Sequence, residues 1–196
     1  MKVAYINNQP YPIIDGETML SFIKRHKGDK YVPTLCDAPN LDPFGSCRVC
    51  SVEVALAKDG PVKTMASCHS PVVAGQYIYT STESVKALRK NIIELVLTDH
   101  PLTCLTCEVN GNCELQDVAA QVGARDVRYP EGENHLHRQK DFSHPYMTSD
   151  MSKCINCYRC VRACDEVQGE MVLSMDGRGF DAKIIKSDND TFFGSD

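Results

Sequence analysis

Eleven cysteines in a chain of 196 residues fall into three tight groups, and this limits the sequence more than any other feature. The middle group runs His100-Pro101-Leu102-Thr103-Cys104-Leu105-Thr106-Cys107-Glu108-Val109-Asn110-Gly111-Asn112-Cys113, an imidazole and three thiols on a backbone broken by Pro101 and Gly111. Thiolates at this density suit iron–sulfur clusters or zinc, and both accept imidazole. Taken alone, the stretch fits a Cys3His structural zinc site. An odd number of cysteines without a secretory leader reads as metal ligation in a reducing, cytoplasmic compartment, not as a disulfide framework. With His100 they make twelve ligands, or three sets of four.

The first group is Cys36, Cys47, Cys50 and Cys68, spaced C-x10-C-x2-C-x17-C. Between its first two members lies Asp37-Ala38-Pro39-Asn40-Leu41-Asp42-Pro43-Phe44-Gly45-Ser46, too rich in Pro and Gly for regular structure. A [2Fe–2S] cluster needs four converging thiolates, and small residues such as Gly45 and Ser46 let backbone N–H groups approach its sulfides. Ser51–Leu56 alternates like a strand, and Ala57-Lys58-Asp59-Gly60-Pro61 turns it back through Val62–Met65 toward Cys68. Upstream, Val3–Ile6 and Tyr11–Ile14 read as strands about a turn at Asn7–Pro10. A helix then carries Met19, Leu20, Phe22 and Ile23, capped by Asp15 or Thr18, with Lys24, Arg25 and Lys27 in its last turns. Strand, strand, helix and more strand predict a β-grasp-like unit.

Thr82–Leu97 is the strongest helix pattern, with Val85, Leu88, Ile92, Leu95 and Val96 at helical spacing and Lys86, Arg89 and Lys90 on other faces. Ser81 or Thr82 can cap it. Pro101 ends it near Thr98-Asp99, which leaves His100 just past a helix terminus. A second helix starts from Cys113 with Glu114–Ala120. Gly123–Ser149 is a polar connecting segment, and His135, His137 and His144 in it read as surface residues, not a metal pair.

The third group, Cys154-Ile155-Asn156-Cys157-Tyr158-Arg159-Cys160-Val161-Arg162-Ala163-Cys164, has the C-x2-C-x2-C-x3-C spacing of bacterial ferredoxins. Zinc sites split their cysteines into distant pairs, so zinc fits poorly here. In that arrangement Cys154, Cys157 and Cys160 serve one [4Fe–4S] cluster, while Cys164 serves a further one. Asp165 stands where two-cluster ferredoxins usually carry proline, and the chain holds no second run of this kind. The expectation is therefore a longer polypeptide, with another C-x2-C-x2-C run and a cysteine beyond Asp196 completing the first set.

Taken together, these motifs resemble the N-terminal iron–sulfur region of the complex I large iron–sulfur subunit family. That family includes relatives in iron-only hydrogenases, NAD-reducing hydrogenases and NAD-dependent formate dehydrogenases. The resemblance implies a [2Fe–2S] cluster on Cys36, Cys47, Cys50 and Cys68, and a [4Fe–4S] cluster on His100, Cys104, Cys107 and Cys113. It also implies an α+β architecture: a β-grasp [2Fe–2S] domain over residues 1–80, a small helical His/Cys3 [4Fe–4S] domain over 81–122, a connecting segment over 123–150 and a ferredoxin-type segment over 151–196. The stretch Cys160–Gly169, with Gly177-Arg178-Gly179-Phe180-Asp181, looks most like the catalytic subunit of NAD-dependent molybdenum formate dehydrogenase. Molybdopterin and FMN are then expected elsewhere, the FMN on a flavin and nicotinamide-binding iron–sulfur subunit and the molybdopterin on a catalytic domain or subunit. The alternatives are the diaphorase or electron-input module of an NAD-linked hydrogenase or complex I-like enzyme and, in another class, a zinc-stabilised interaction scaffold.

No nucleotide-binding glycine fingerprint, P-loop or nucleophile–base pair is visible. Gly177–Phe180 reads as a turn. A net charge of -5 argues against nucleic acid, and no apolar run approaches a membrane span. The sequence thus points to an electron relay with no substrate-converting site of its own.

Overall fold

The first two strands meet in a tighter turn than the sequence pattern suggests. β1 (Val3–Ile6) pairs antiparallel with β2 (Gln9–Pro12), in register from Val3↔Pro12 to Ile6↔Gln9, so the loop is Asn7-Asn8 alone. Both asparagines take left-handed φ, +48° and +69°, the geometry of a two-residue hairpin turn. The second strand therefore begins two residues earlier than expected. Pro10 and Pro12 are tolerated because β2 is an edge strand. The computed structural model describes residues 2–132, 138–186 and 191–194. The His135-Leu136-His137 stretch lies outside these described residues.

The chain forms two compact units. The first comprises Met1–Asp37, Pro43–Ile93 and Asp117–Ala124, and the second Ala38–Asp42, Glu94–Gln116 and Arg125–Asp196. In the first unit, helix α1 (Met19–Lys27) is capped by Thr18, whose hydroxyl accepts from Ser21 N at 3.1 Å. Its Met19, Leu20, Phe22 and Ile23 are buried, as their spacing predicts, and the basic residues of the last turn complement the helix dipole. They pack into one core with Ala4, Ile6, Val52, Val54 and Ile78. Burial of a side chain such as Phe22 stabilises by about 1.5–3 kcal/mol.

β3 (Ser51–Ala55) and β4 (Lys63–Ala66) form the hairpin expected after Cys50. A third piece, β5 (Tyr77–Tyr79), has no counterpart in the sequence pattern. It runs parallel to β1 and antiparallel to β3, joining the two hairpins into one sheet of order β2-β1-β5-β3-β4. Tyr5 and Tyr77, partners across the parallel pair, stack with ring centroids 4.2 Å apart. A mixed five-stranded sheet gripping one helix is the β-grasp arrangement.

Helix α2 (Glu83–Thr98) starts where Thr82 Oγ1 accepts from Val85 N, and helix α3 (Glu114–Val122) begins directly after Cys113. The buried stripe of α2 is rotated from the expected one. Val85, Arg89, Ile93 and Glu94 are buried, while Leu95 is exposed.

The second unit is built from short pieces. β6 (Lys140–Asp141) pairs with β7 (Ser149–Asp150). A single helical turn, α4 (Arg159–Arg162), runs into a π-helical turn at Ala163–Val167. β8 (Leu173–Asp176) and β9 (Lys183–Lys186) form a hairpin. Gly177 opens its connection at φ +77°, where a Cβ would collide with the Asp181 carbonyl oxygen, so Gly177–Phe180 is a turn that requires its first glycine. Among the described residues no helix is long and apolar enough to cross a membrane.

Candidate metal centres

The loop and hairpin of the first unit bring Cys36, Cys47, Cys50 and Cys68 together. Cys36, Cys50 and Cys68 are buried, and the Sγ atoms of Cys50 and Cys68 are a hydrogen-bonded pair 3.3 Å apart. A hydrogen bond from Cys47 lowers the Cys36 thiol to about 5, with help from the Cys47 and Ser46 backbone N–H groups. The same contact, together with burial, pushes Cys47 up. Cys68 does for Cys50 what Cys47 does for Cys36, lowering it to about 6, while Cys68 itself is raised. Each pair thus favours ionisation of one thiol at the expense of its partner. Cluster thiolates must be deprotonated, so loading the site releases the protons still bound there.

The surrounding backbone is fixed by contacts that the sequence does not advertise. Ser67, wholly buried beside Cys68, donates through its hydroxyl to Cys50 O at 2.7 Å. Arg48, between Cys47 and Cys50, takes a left-handed φ of 60° that turns the loop. Lys24 on α1 pairs with Asp37 at 2.6 Å and pins the chain next to Cys36. The apolar pattern puts Arg89 on an outer face of its helix. Instead its guanidinium is buried, donating to Thr80 O at 2.9 Å and to Ser51 O, next to Cys50, at 2.7 Å. The spacing Val85, Arg89, Ile93 is the available signal: arginine occupies the middle of an i, i+4, i+8 row.

His100 is half-buried two residues beyond α2, its backbone N–H bonded to Leu97 O at 3.3 Å. It lines a cavity of about 270 Å³ with Leu97, Thr98, Leu102, Val127 and Tyr129. The connecting segment is held close by at the end of α2. Gly132 N donates to Thr98 O at 2.7 Å, and a Cβ on Gly132 would stand 2.6 Å from Asp99 Oδ1. Cys104 opens a 3-10 turn and its carbonyl accepts from Cys107 N. Cys113 lies at the start of α3.

In the third group, Cys154 is raised by burial and by the Cys157 thiol, and the Cys157 and Cys154 thiols also raise the exposed Cys160, so these three sit within each other's field. Asn156 and Tyr158 adopt left-handed φ of 51° and 63°, which winds the loop around its cysteines. Cys164 lies beyond α4 on the π-helical turn, where its carbonyl accepts from Glu170 N at 2.9 Å. Arg162, buried between Cys160 and Cys164, is bridged by Glu166 at 2.9 Å, and Glu166 also accepts from Asp42 N at 2.9 Å. Among the described residues no three His, Cys, Asp or Glu side chains close on one point as they would around a single ion. The donors, soft thiolates with one imidazole, are of the type that iron–sulfur clusters take.

Comparison with known proteins bears on the family. Residues 3–83 match the 2Fe-2S iron-sulfur cluster binding domain, 89–128 the NADH-ubiquinone oxidoreductase-G iron-sulfur binding region, and 144–194 the ferredoxin-like domain of NADH-quinone oxidoreductase subunit 3. This domain content matches that of the complex I large iron–sulfur subunit family. The chain carries one [2Fe–2S]-binding and two [4Fe–4S]-binding domains of that family in sequence. It is 38% identical over 190 residues to the NADP-reducing hydrogenase subunit HndD of Solidesulfovibrio fructosivorans, covering 94% of this chain and 31% of that one. It is 30% identical over 179 residues to an NADH-quinone oxidoreductase subunit of Rhizobium meliloti, covering 91% of this chain and 20% of that one. The chain therefore spans about a fifth to a third of these relatives. A crystal structure of NAD+-reducing [NiFe]-hydrogenase in the H2-reduced state superposes with a TM-score of 0.84 at 28% identity, over 97% of this chain and 79% of that one.

Proposed function

We propose that this chain is the iron–sulfur electron-relay portion of a multisubunit NAD(P)-linked oxidoreductase. The observation that carries the reading is the set of eleven thiols and one imidazole in three ordered groups, each on a loop bent by left-handed residues or a helix end. Cys36, Cys47, Cys50 and Cys68 hold the [2Fe–2S] cluster; His100, Cys104, Cys107 and Cys113 hold one [4Fe–4S] cluster. Cys154, Cys157 and Cys160 serve another, and Cys164 is directed to a further one. Such clusters supply one-electron transfer. The protein's part is to hold them, exclude water and set each potential through ligand type, charge and hydrogen bonds. The partners are a flavin and nicotinamide-binding subunit and a catalytic domain or subunit. Formate dehydrogenase is the finer assignment supported by the Cys160–Gly169 and Gly177–Asp181 stretches. A hydrogenase is the second reading, supported by the likeness to HndD and to the [NiFe]-hydrogenase structure. Reduction of NAD(P)+ by the natural complex with formate, against hydrogen, separates the two.

Anaerobically purified protein is expected to carry about ten irons per chain, one two-iron and two four-iron clusters. Reduced samples should give separate [2Fe–2S] and [4Fe–4S] signals by electron paramagnetic resonance. Stoichiometric zinc in colourless protein would replace the relay with the interaction scaffold. His100→Cys should keep its four-iron cluster and lower the potential, because a thiolate adds the negative charge that imidazole lacks. An unchanged potential would remove His100 from the ligand set.

A further inference from the structure

Lys153 immediately precedes Cys154, yet its ammonium reaches the other cysteine group of the second unit. Nζ lies 3.7 Å from Cys107 Sγ and 3.7 Å from Asp150 Oδ2. The lysine is on a short tether. It closes the 3-10 turn Met151–Lys153, where Asp150 accepts from Ser152 N at 3.2 Å and Cys154 N donates to Met151 O. Asp150 is also paired with Lys140 at 3.2 Å, so its charge is shared between two lysines. A parallel contact joins the same two groups: Arg159, directly before Cys160, pairs at 2.6 Å with Glu114, directly after Cys113. That arginine faces a carboxylate. Lys153 faces a sulfur.

We propose that Lys153 is a positioning residue shared by two clusters, donating a charge-assisted hydrogen bond to the Cys107 sulfur of the His100 cluster while its charge sits one residue from Cys154 of the next. The inference rests on the reading that these cysteines hold clusters. A reduced cluster is more negative than an oxidised one, so a fixed cation and a hydrogen bond to a ligand sulfur favour reduction and raise the potential. Both potentials then rise, that of the His100 cluster more, because its ligand sulfur takes the hydrogen bond.

The test is a redox titration of the whole anaerobically purified protein, followed by electron paramagnetic resonance, for wild type, Lys153→Met and Lys153→Arg. Lys153→Met is expected to disfavour reduction of the His100 cluster on the order of tenfold, which is about 59 mV for a one-electron couple. The Cys154 cluster should shift less, in the same direction. Lys153→Arg should stay near wild type, and the [2Fe–2S] potential should not move in either variant. Unchanged potentials, or a shift confined to one four-iron cluster, would overturn the shared role. Where Lys153→Met loses a cluster, Lys153→Gln takes its place; loss in that variant too, with retention in Lys153→Arg, makes the lysine an assembly residue and overturns tuning. Absence of four-iron signals in the wild type would instead sink the relay reading itself.

Discussion

Cys50→Ser is expected to abolish the [2Fe–2S] signal and remove about two irons per chain, while both [4Fe–4S] signals persist. Cys50 is held on both its side chain and its backbone. Its thiol is buried 3.3 Å from Cys68, and its carbonyl is clamped by Ser67. The Cys68 contact lowers its thiol, which favours the ionised form that binds iron. A serine hydroxyl does not ionise in that range and is a hard oxygen donor in a place that suits soft sulfur. The substitution barely changes side-chain volume, so the β-grasp core about Phe22 should remain folded. Far-ultraviolet circular dichroism should match wild type, and iron analysis with electron paramagnetic resonance should report the loss. Full iron content and an unaltered two-iron line shape would remove Cys50 from the ligand set.

What the sequence made legible were features fixed locally. The Thr18 cap and the Met19, Leu20, Phe22, Ile23 face of α1 follow from one turn of helix, and cysteine spacing is a local property of each loop. The hairpin from Ser51 to Met65 was also readable, because alternation and a Gly-Pro turn lie within a dozen residues of each other. β5 was not. It has three residues, and what makes Tyr77–Tyr79 a strand is the parallel pairing with β1, some seventy residues away in sequence. The burial of Arg89 was hidden for a similar reason, since its acceptors, Thr80 O and Ser51 O, come from other segments. Left-handed φ at Arg48 and Tyr158 left no trace in residue type, because neither is a residue that ordinarily favours that conformation. The contact of Lys153 with Cys107 spans 46 positions and carries no periodic signal.

Arg89→Met is expected to destabilise the first unit by about 1–3 kcal/mol, the net of two opposing effects, with Arg89→Lys intermediate. Two effects oppose each other. Burial of the guanidinium is unfavourable, pushing its pKa down to about 10, and an apolar side chain of similar length relieves that cost. Replacing a buried ion pair by apolar groups is often neutral or stabilising for this reason. Here, however, the partners are not a second charge that could be removed as well. They are the backbone carbonyls of Thr80 and Ser51, which stay in place and lose their donors. Each buried carbonyl left without a partner costs about 1–3 kcal/mol, so the lost hydrogen bonds outweigh the relieved desolvation. Lysine keeps the charge but lacks the fork that serves both carbonyls at once. The measurement is the urea midpoint of the anaerobic protein, at unchanged dependence on denaturant. A midpoint equal to wild type in Arg89→Met would mean that water replaces the guanidinium at both carbonyls and that the buried arginine is not structural. Because Ser51 O belongs to the residue after Cys50, the same variant should also loosen the [2Fe–2S] loop, seen as faster loss of that signal in air than in wild type.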